Sequence, residues 1–132
     1  MKKIIIAILG ILIASSNVFA IQSEKTVMIE TKTGDLEGSL IIPSEAKAVP
    51  VALIIPGSGP TDRDGNQPAM KNNSLKMLAN ALSKNGIATL RYDKRGVGKS
   101  QKAGGKEIDL RFEHFISDAK DWIGLLKKDK RF

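Results

Sequence analysis

V-A-L-I-I-P-G-S-G-P, residues 51–60, decides how the rest of the chain is read. Five apolar residues run without a polar break, and the chain then turns on Pro56, Gly57, Gly59 and Pro60. A short continuous apolar run closed by turn residues predicts a strand buried on both faces, as in parallel sheets covered by helices. The glycine turn lies at the strand's carboxyl end, where open α/β sheets bind their ligands. Glycines there let backbone N–H groups approach an anion closely.

On either side of this strand the pattern predicts an α/β protein. Residues 26–32 alternate, 33–35 (Thr-Gly-Asp) make a turn, and 36–42 return, which predicts an antiparallel hairpin. Residues 44–50 are a polar connection bounded by Pro43 and Pro50. Beyond Pro60 a long loop runs to Lys71, and Asn72 or Asn73 is placed to cap a helix. Leu75, Leu78, Ala79 and Leu82 mark one buried face of that helix, and Asn85-Gly86 ends it. Residues 87–91 form another short buried strand, so 51–91 reads as strand, helix, parallel strand. A second glycine turn covers 92–100, a flexible loop 101–109, and a second helix starts near Phe112. Phe115, Ala119, Trp122 and Leu126 form its apolar stripe, flanked by Ile116 and Ile123.

The 132 residues suffice for one domain. With no cysteine there is no disulfide framework and no thiolate metal site, and a single histidine excludes a histidine-rich cluster. The formal charge is +7, but the lysines are dispersed and aromatic residues make up only 5%, which argues against nucleic-acid binding. Residues 1–20 read as a signal peptide: basic Lys2-Lys3, an apolar stretch over 4–14, and Val18-Phe19-Ala20 before the cut. The apolar stretch is short for a span of about 20 residues. The expected mature chain is therefore 21–132, secreted or periplasmic, with no stable membrane anchor.

Three local patterns fail on spacing. Gly98-Lys99-Ser100 lacks the phosphate-loop glycine five positions before Gly98, where Asp93 stands. Aligning Gly65 with the turn glycine of a calcium loop puts Pro60 and Lys71 at carboxylate positions. Asn72-Asn73-Ser74 fits the glycosylation acceptor pattern, but helix capping accounts for the same residues. His114, the sole histidine, reads as a surface helix residue. No metal ligand set and no cofactor are expected.

The two glycine turns carry the strongest signal because they occur together. P-G-S-G-P-T-D-R-D-G-N at 56–66, followed by Y-D-K-R-G-V-G-K-S at 92–100, resembles the amino-terminal half of an α/β-hydrolase. The branch is that of the serine-aminopeptidase-like esterases and peptidases, and the resemblance runs from the first hairpin to the second helix. It implies that the loop after residue 55 supplies a backbone N–H of the oxyanion hole, at Ser58 with Gly59 beside it. Relatives carry histidine where this chain has Pro56, a departure that leaves the N–H donor in place. Asp93, Arg95, Gly96 and Gly98 match a turn whose role in the family is structural, with Asp93 and Arg95 tying the strand end to neighbouring loops.

The resemblance also implies what is missing. The nucleophile belongs in a G-x-S-x-G elbow, followed by the acid and the histidine. Ser58 lies in P-G-S-G-P and Ser100 in G-K-S-Q-K, and no other serine has the elbow glycines. The expected protein is a partial α/β-hydrolase sheet (hairpin, β-α-β and a second helix) with its carboxyl-terminal half missing. It would be a fragment of a serine hydrolase of ester or peptide bonds, inactive alone, with no catalytic residue of its own. Its substrate in the complete enzyme would be a small ester or a peptide. Without the family's fifth strand, 51–55 should form an open apolar edge and the isolated chain should be marginally stable. The alternative is a non-catalytic secreted α/β protein that binds a ligand or partner at the glycine turns.

Overall fold

The computed structural model describes residues 23–43 and 48–132, so the expected signal peptide lies outside the described residues. Among the described residues four strands form one mixed sheet: β1 (Ser23–Thr31), β2 (Gly34–Ile42), β3 (Val51–Ile54) and β4 (Ala88–Tyr92), in the order β1-β2-β4-β3. β1 pairs antiparallel with β2, β2 antiparallel with β4, and β3 parallel with β4. Helix α1 (Ser74–Lys84) connects β3 to β4, and α2 (Phe112–Lys127) follows the second glycine turn. The architecture is α/β, as the sequence predicts.

Alternation along β2 sends Leu36, Leu40 and Ile42 to one face, where Leu90, Tyr92, Ala103, Trp122 and Leu126 complete the larger core. Tyr92 and Trp122 pack with ring centroids 5.4 Å apart. Ile41 and Ile54 point to the other face and meet Ala79, Leu75 and Leu82 of α1.

Several expectations need correction. The strand buried along its whole length is β4, because it lies between two others; β3 has a single partner, is half-buried over its first three residues and ends at Ile54, leaving Ile55 56% exposed. The hairpin turn is Lys32-Thr33, one residue earlier than 33–35, because Gly34 already pairs with Thr31. Gly34 sits against the backbone of Ala103, where a Cβ would come within 3.0 Å. Leu78, Ile116 and Ile123 are exposed, since each helix turns only a narrow stripe onto this four-stranded sheet. Residues 101–109 are no flexible loop. Gly98–Gly104 is 3-10 helix kinked at Ser100, Glu107–Asp109 is a further 3-10 turn, and Gly104 lies so close to Gly96 that a Cβ would fall 2.5 Å from the Gly96 Cα.

Candidate functional site: two glycine turns at one end of the sheet

Both glycine turns follow the carboxyl ends of parallel neighbours β3 and β4, which brings them together. The first turn is exposed from Gly57 to Pro60, and Gly59 adopts the left-handed conformation (φ 72°) that glycine tolerates. Ser58 and Gly59, the residues expected at an oxyanion hole, lie here. Among the described residues neither of their N–H groups donates to a backbone or side-chain acceptor, whereas their carbonyl side is occupied. The Thr61 hydroxyl donates to the Ser58 carbonyl at 2.9 Å, and the Lys94 ammonium donates to the carbonyls of Gly57 and, at 2.8 Å, Gly59.

The long loop after the first turn is tightly braced. Asp62 accepts the N–H groups of Asp64 (2.9 Å) and Asn66 (2.8 Å) on one carboxylate oxygen. Asn66 Oδ1 accepts those of Asn72 and Asn73, both at 2.9 Å. Of the two expected capping residues, Asn72 takes the Ser74 N–H at 2.9 Å; Asn73 occupies the cap position in the left-handed conformation with no side-chain bond to the helix, its Oδ1 accepting the Asn66 amide at 3.0 Å instead. These bonds commit one Asp62 carboxylate oxygen and the Asn66 Oδ1 to protein donors. Among the described residues no group of histidines, cysteines or carboxylates is placed to hold a metal ion.

Arg63 is the hub that the sequence reading missed. Its guanidinium meets Glu37 at 2.5 Å and Asp93 at 2.9 Å, and reaches Ser39 at 3.3 Å. Burial is the largest single influence on its pKa and lowers it, but the two carboxylates together outweigh burial and leave the pKa raised. Asp93 is buried and accepts three N–H bonds: Arg63 N at 2.7 Å, Arg63 Nε at 3.0 Å and Lys99 N at 2.9 Å. Gly98 lies directly over it; a Cβ there would fall 2.6 Å from Asp93 Oδ2.

Arg95 pairs with buried Asp118 of α2 (2.5 and 2.7 Å) and reaches the Thr33 hydroxyl at 3.1 Å. The hydrogen bonds it donates to the Asp118 carboxylate raise the Arg95 pKa. Ser100, fully buried, accepts the Glu37 N–H at 2.9 Å. His114 is exposed at the start of α2, its Nδ1 accepting the Arg111 N–H at 3.2 Å, and it bonds to no serine among the described residues.

Sequence reasoning singled out Asp93 and Arg95 but passed over their partners Arg63 and Asp118, and over Thr61 and Lys94. Arg63 stood in the D-R-D-G-N stretch, which was weighed for calcium and counted in the family resemblance without a role of its own. Asp118 left a signal, a carboxylate on the helix face that carries Trp122, four residues away.

No protein-family model matches this chain, and no match was found among curated proteins. Several solved structures are similar to it, two of which follow. One is a cold-adapted esterase from an Arctic intertidal metagenomic library: 19% identity, TM-score 0.44, covering 63% of this chain and 32% of that one. The other is an α/β serine hydrolase without a lid from Xanthomonas campestris: 26% identity, TM-score 0.43, covering 58% of this chain and 34% of that one. This chain is thus similar to an esterase and to an α/β serine hydrolase over about three fifths of its own length, and it spans about a third of theirs.

Proposed function

We propose that this chain is the amino-terminal portion of a serine hydrolase acting on ester or amide (peptide) bonds, and that it supplies the oxyanion-hole loop. The observation that carries the reading is the first glycine turn, whose Ser58 and Gly59 N–H groups are free while their carbonyls are held. When a nucleophile attacks a carbonyl carbon, negative charge moves onto the former carbonyl oxygen. Preorganised N–H donors stabilise that charge, and each such donor lowers the barrier by about 2.7–4 kcal/mol. Asp93, Arg95, Gly96 and Gly98 form the brace beneath the loop rather than part of the chemistry. The nucleophile, acid and histidine come from polypeptide other than these residues, and residues 1–20 direct the protein out of the cytoplasm.

A second reading, a secreted binding protein without catalysis, draws on a cleft of about 850 Å³ between the braced loop and α1, lined by Asp62, Asn66, Gln67, Met70, Lys76 and Met77. A serine-directed fluorophosphonate separates the two. We expect no labelling of this chain alone, and labelling once a carboxyl-terminal piece bearing a G-x-S-x-G serine is added. Labelling of Ser58 or Ser100 in the chain alone contradicts the proposed division of labour. Ligand binding in the cleft, with no labelling under either condition, favours the second reading.

A further inference from the structure

We infer that Lys94 and Thr61 are the positioning residues of the glycine turn, aiming the Ser58 and Gly59 N–H groups outward by holding the carbonyls behind them. The inference rests on the oxyanion-loop reading above and deepens it. In a trans peptide the C=O of one residue and the N–H of the next point in opposite directions within one plane. Fixing a carbonyl therefore aims the following N–H the other way. The Lys94 ammonium takes the Gly57 carbonyl, which turns the Ser58 N–H outward. The Thr61 hydroxyl takes the Ser58 carbonyl at 2.9 Å, which turns the Gly59 N–H outward. Lys94 also takes the Gly59 carbonyl at 2.8 Å. The next residue is Pro60, which has no N–H, so this bond anchors the loop without aiming a donor.

Each positioning group is itself constrained. Thr61 is buried, and its oxygen accepts the Gln67 amide at 3.0 Å, which leaves the hydroxyl proton for the Ser58 carbonyl. Lys94 follows Asp93, whose carboxylate fixes the Arg63 N–H two residues beyond Thr61. One turn thus grips the oxyanion loop from both ends. Lys94 is half-buried against the loop carbonyls, and this partial burial lowers its pKa. A surface lysine without this task would keep its head solvated.

The test is backbone amide NMR of the full chain at neutral pH, titrated with dimethyl phosphate, a tetrahedral monoanion. The wild-type protein should show saturable shifts of the Ser58 and Gly59 amides. Thr61→Val, which changes no charge, should shrink the Gly59 shift at saturation selectively and weaken the apparent affinity about tenfold, the scale of one charge-assisted hydrogen bond. Lys94→Met should shrink the Ser58 shift and weaken affinity by at least as much, and Lys94→Arg should restore most of both. Carbonyl ¹³C resonances of Gly57 and Gly59 should move in Lys94→Met and that of Ser58 in Thr61→Val, a readout independent of any anion. If both variants bind within twofold of wild type with both amide shifts intact, the positioning inference is overturned while the loop remains an anion site. If the wild-type amides do not respond, the oxyanion-loop reading fails, and the inference with it. Should Lys94→Met not fold, Thr61→Val and Lys94→Arg decide the matter.

Discussion

Asp93→Asn should unfold this protein far more readily than its single-atom change suggests. Asp93 accepts Arg63 N on one oxygen, and Arg63 Nε and Lys99 N on the other. Asparagine offers only one acceptor oxygen. In its better orientation the amide keeps the two bonds to Arg63 Nε and Lys99 N, and its NH2 then faces the Arg63 N–H at the former 2.7 Å contact. A buried donor is left without a partner, at about 1–3 kcal/mol. The ion pair with Arg63, whose side chain is 11% exposed, is lost as well. Removing one member of a buried pair costs about 3–5 kcal/mol. Glu37 still meets the guanidinium at 2.5 Å, so the lower end of that range applies; that figure already contains the unpaired donor, and the total is about 3 kcal/mol. Domain stabilities run to about 5–15 kcal/mol, so this is a large fraction, corresponding to a fall in Tm of about 10–20 °C.

Trp122 makes the measurement direct. It is the sole tryptophan, fully buried against Tyr92, so its fluorescence in urea reports loss of the larger core. Asp129→Asn serves as control: its pair with Arg131 lies at the surface, where such pairs are worth about 0–1 kcal/mol. If Asp93→Asn unfolds within 1 kcal/mol of wild type, the three-donor account of Asp93 is wrong.

Tyr92, the sole tyrosine, has its pKa pushed up to about 12 by burial and then by the Asp118 charge, so absorbance at 295 nm should titrate well above the usual 10. The folded state holds this proton more tightly, so the stability it confers is complete below pH 10 and is lost between about 10 and 12; Tyr92→Phe should flatten that slope, and a midpoint near 10 in the folded protein would refute the assignment. Gly104→Ala drives a Cβ into the Gly96 backbone and should destabilise by about 1–3 kcal/mol. Gly124→Ala, inside α2 with open space around it, should instead stabilise by about 0.5–1 kcal/mol; equal effects of the two in urea unfolding would contradict the packing. The apolar edge strand β3 should drive self-association at high concentration, and Ile55→Lys should reduce it; sedimentation of the wild-type chain as a monomer at millimolar concentration would count against this.

The sheet was largely legible because its signals are local. Apolar runs, glycine turns and helical stripes each sit within a few residues, and they located β3, β4, α1 and α2 to within a residue or two. What local pattern could not supply is depth. The composition of 51–55 looks more buried than that of 87–91, yet β4 is the enclosed strand, because strand order is set by which chains pair and not by either strand's own residues. The site divides the same way. The glycines of both turns and Asp93 stood out in the sequence, but Arg63 and Asp93 are 30 residues apart, and Thr33 meets Arg95 across 62. Lys94 was hidden for another reason. Its partners are main-chain carbonyls, which leave no mark in a sequence.

Buried ion pairs seldom stabilise a fold more than well-packed apolar residues would, because both charges lose their water. Their concentration on one face therefore calls for a geometric explanation. Arg63 ties its own loop to Glu37 on β2 and to Asp93 at the end of β4. Arg91 of β4, almost fully buried, ties Asp64 of that loop at 2.9 Å to Glu24 on β1 at 2.7 Å. Two adjacent acceptors and donors of the loop, Arg63 and Asp64, are thus fixed to three strands. An apolar core would hold the loop down but would let it slide; charged, directional bonds fix its register. In the oxyanion loop proposed above, a donor tolerates only about half an ångström of drift. The first glycine turn begins beside β3, an edge strand that offers one-sided support. The network beneath β2 and β4 supplies the second side, which accounts for charges that stability alone would have replaced with leucine.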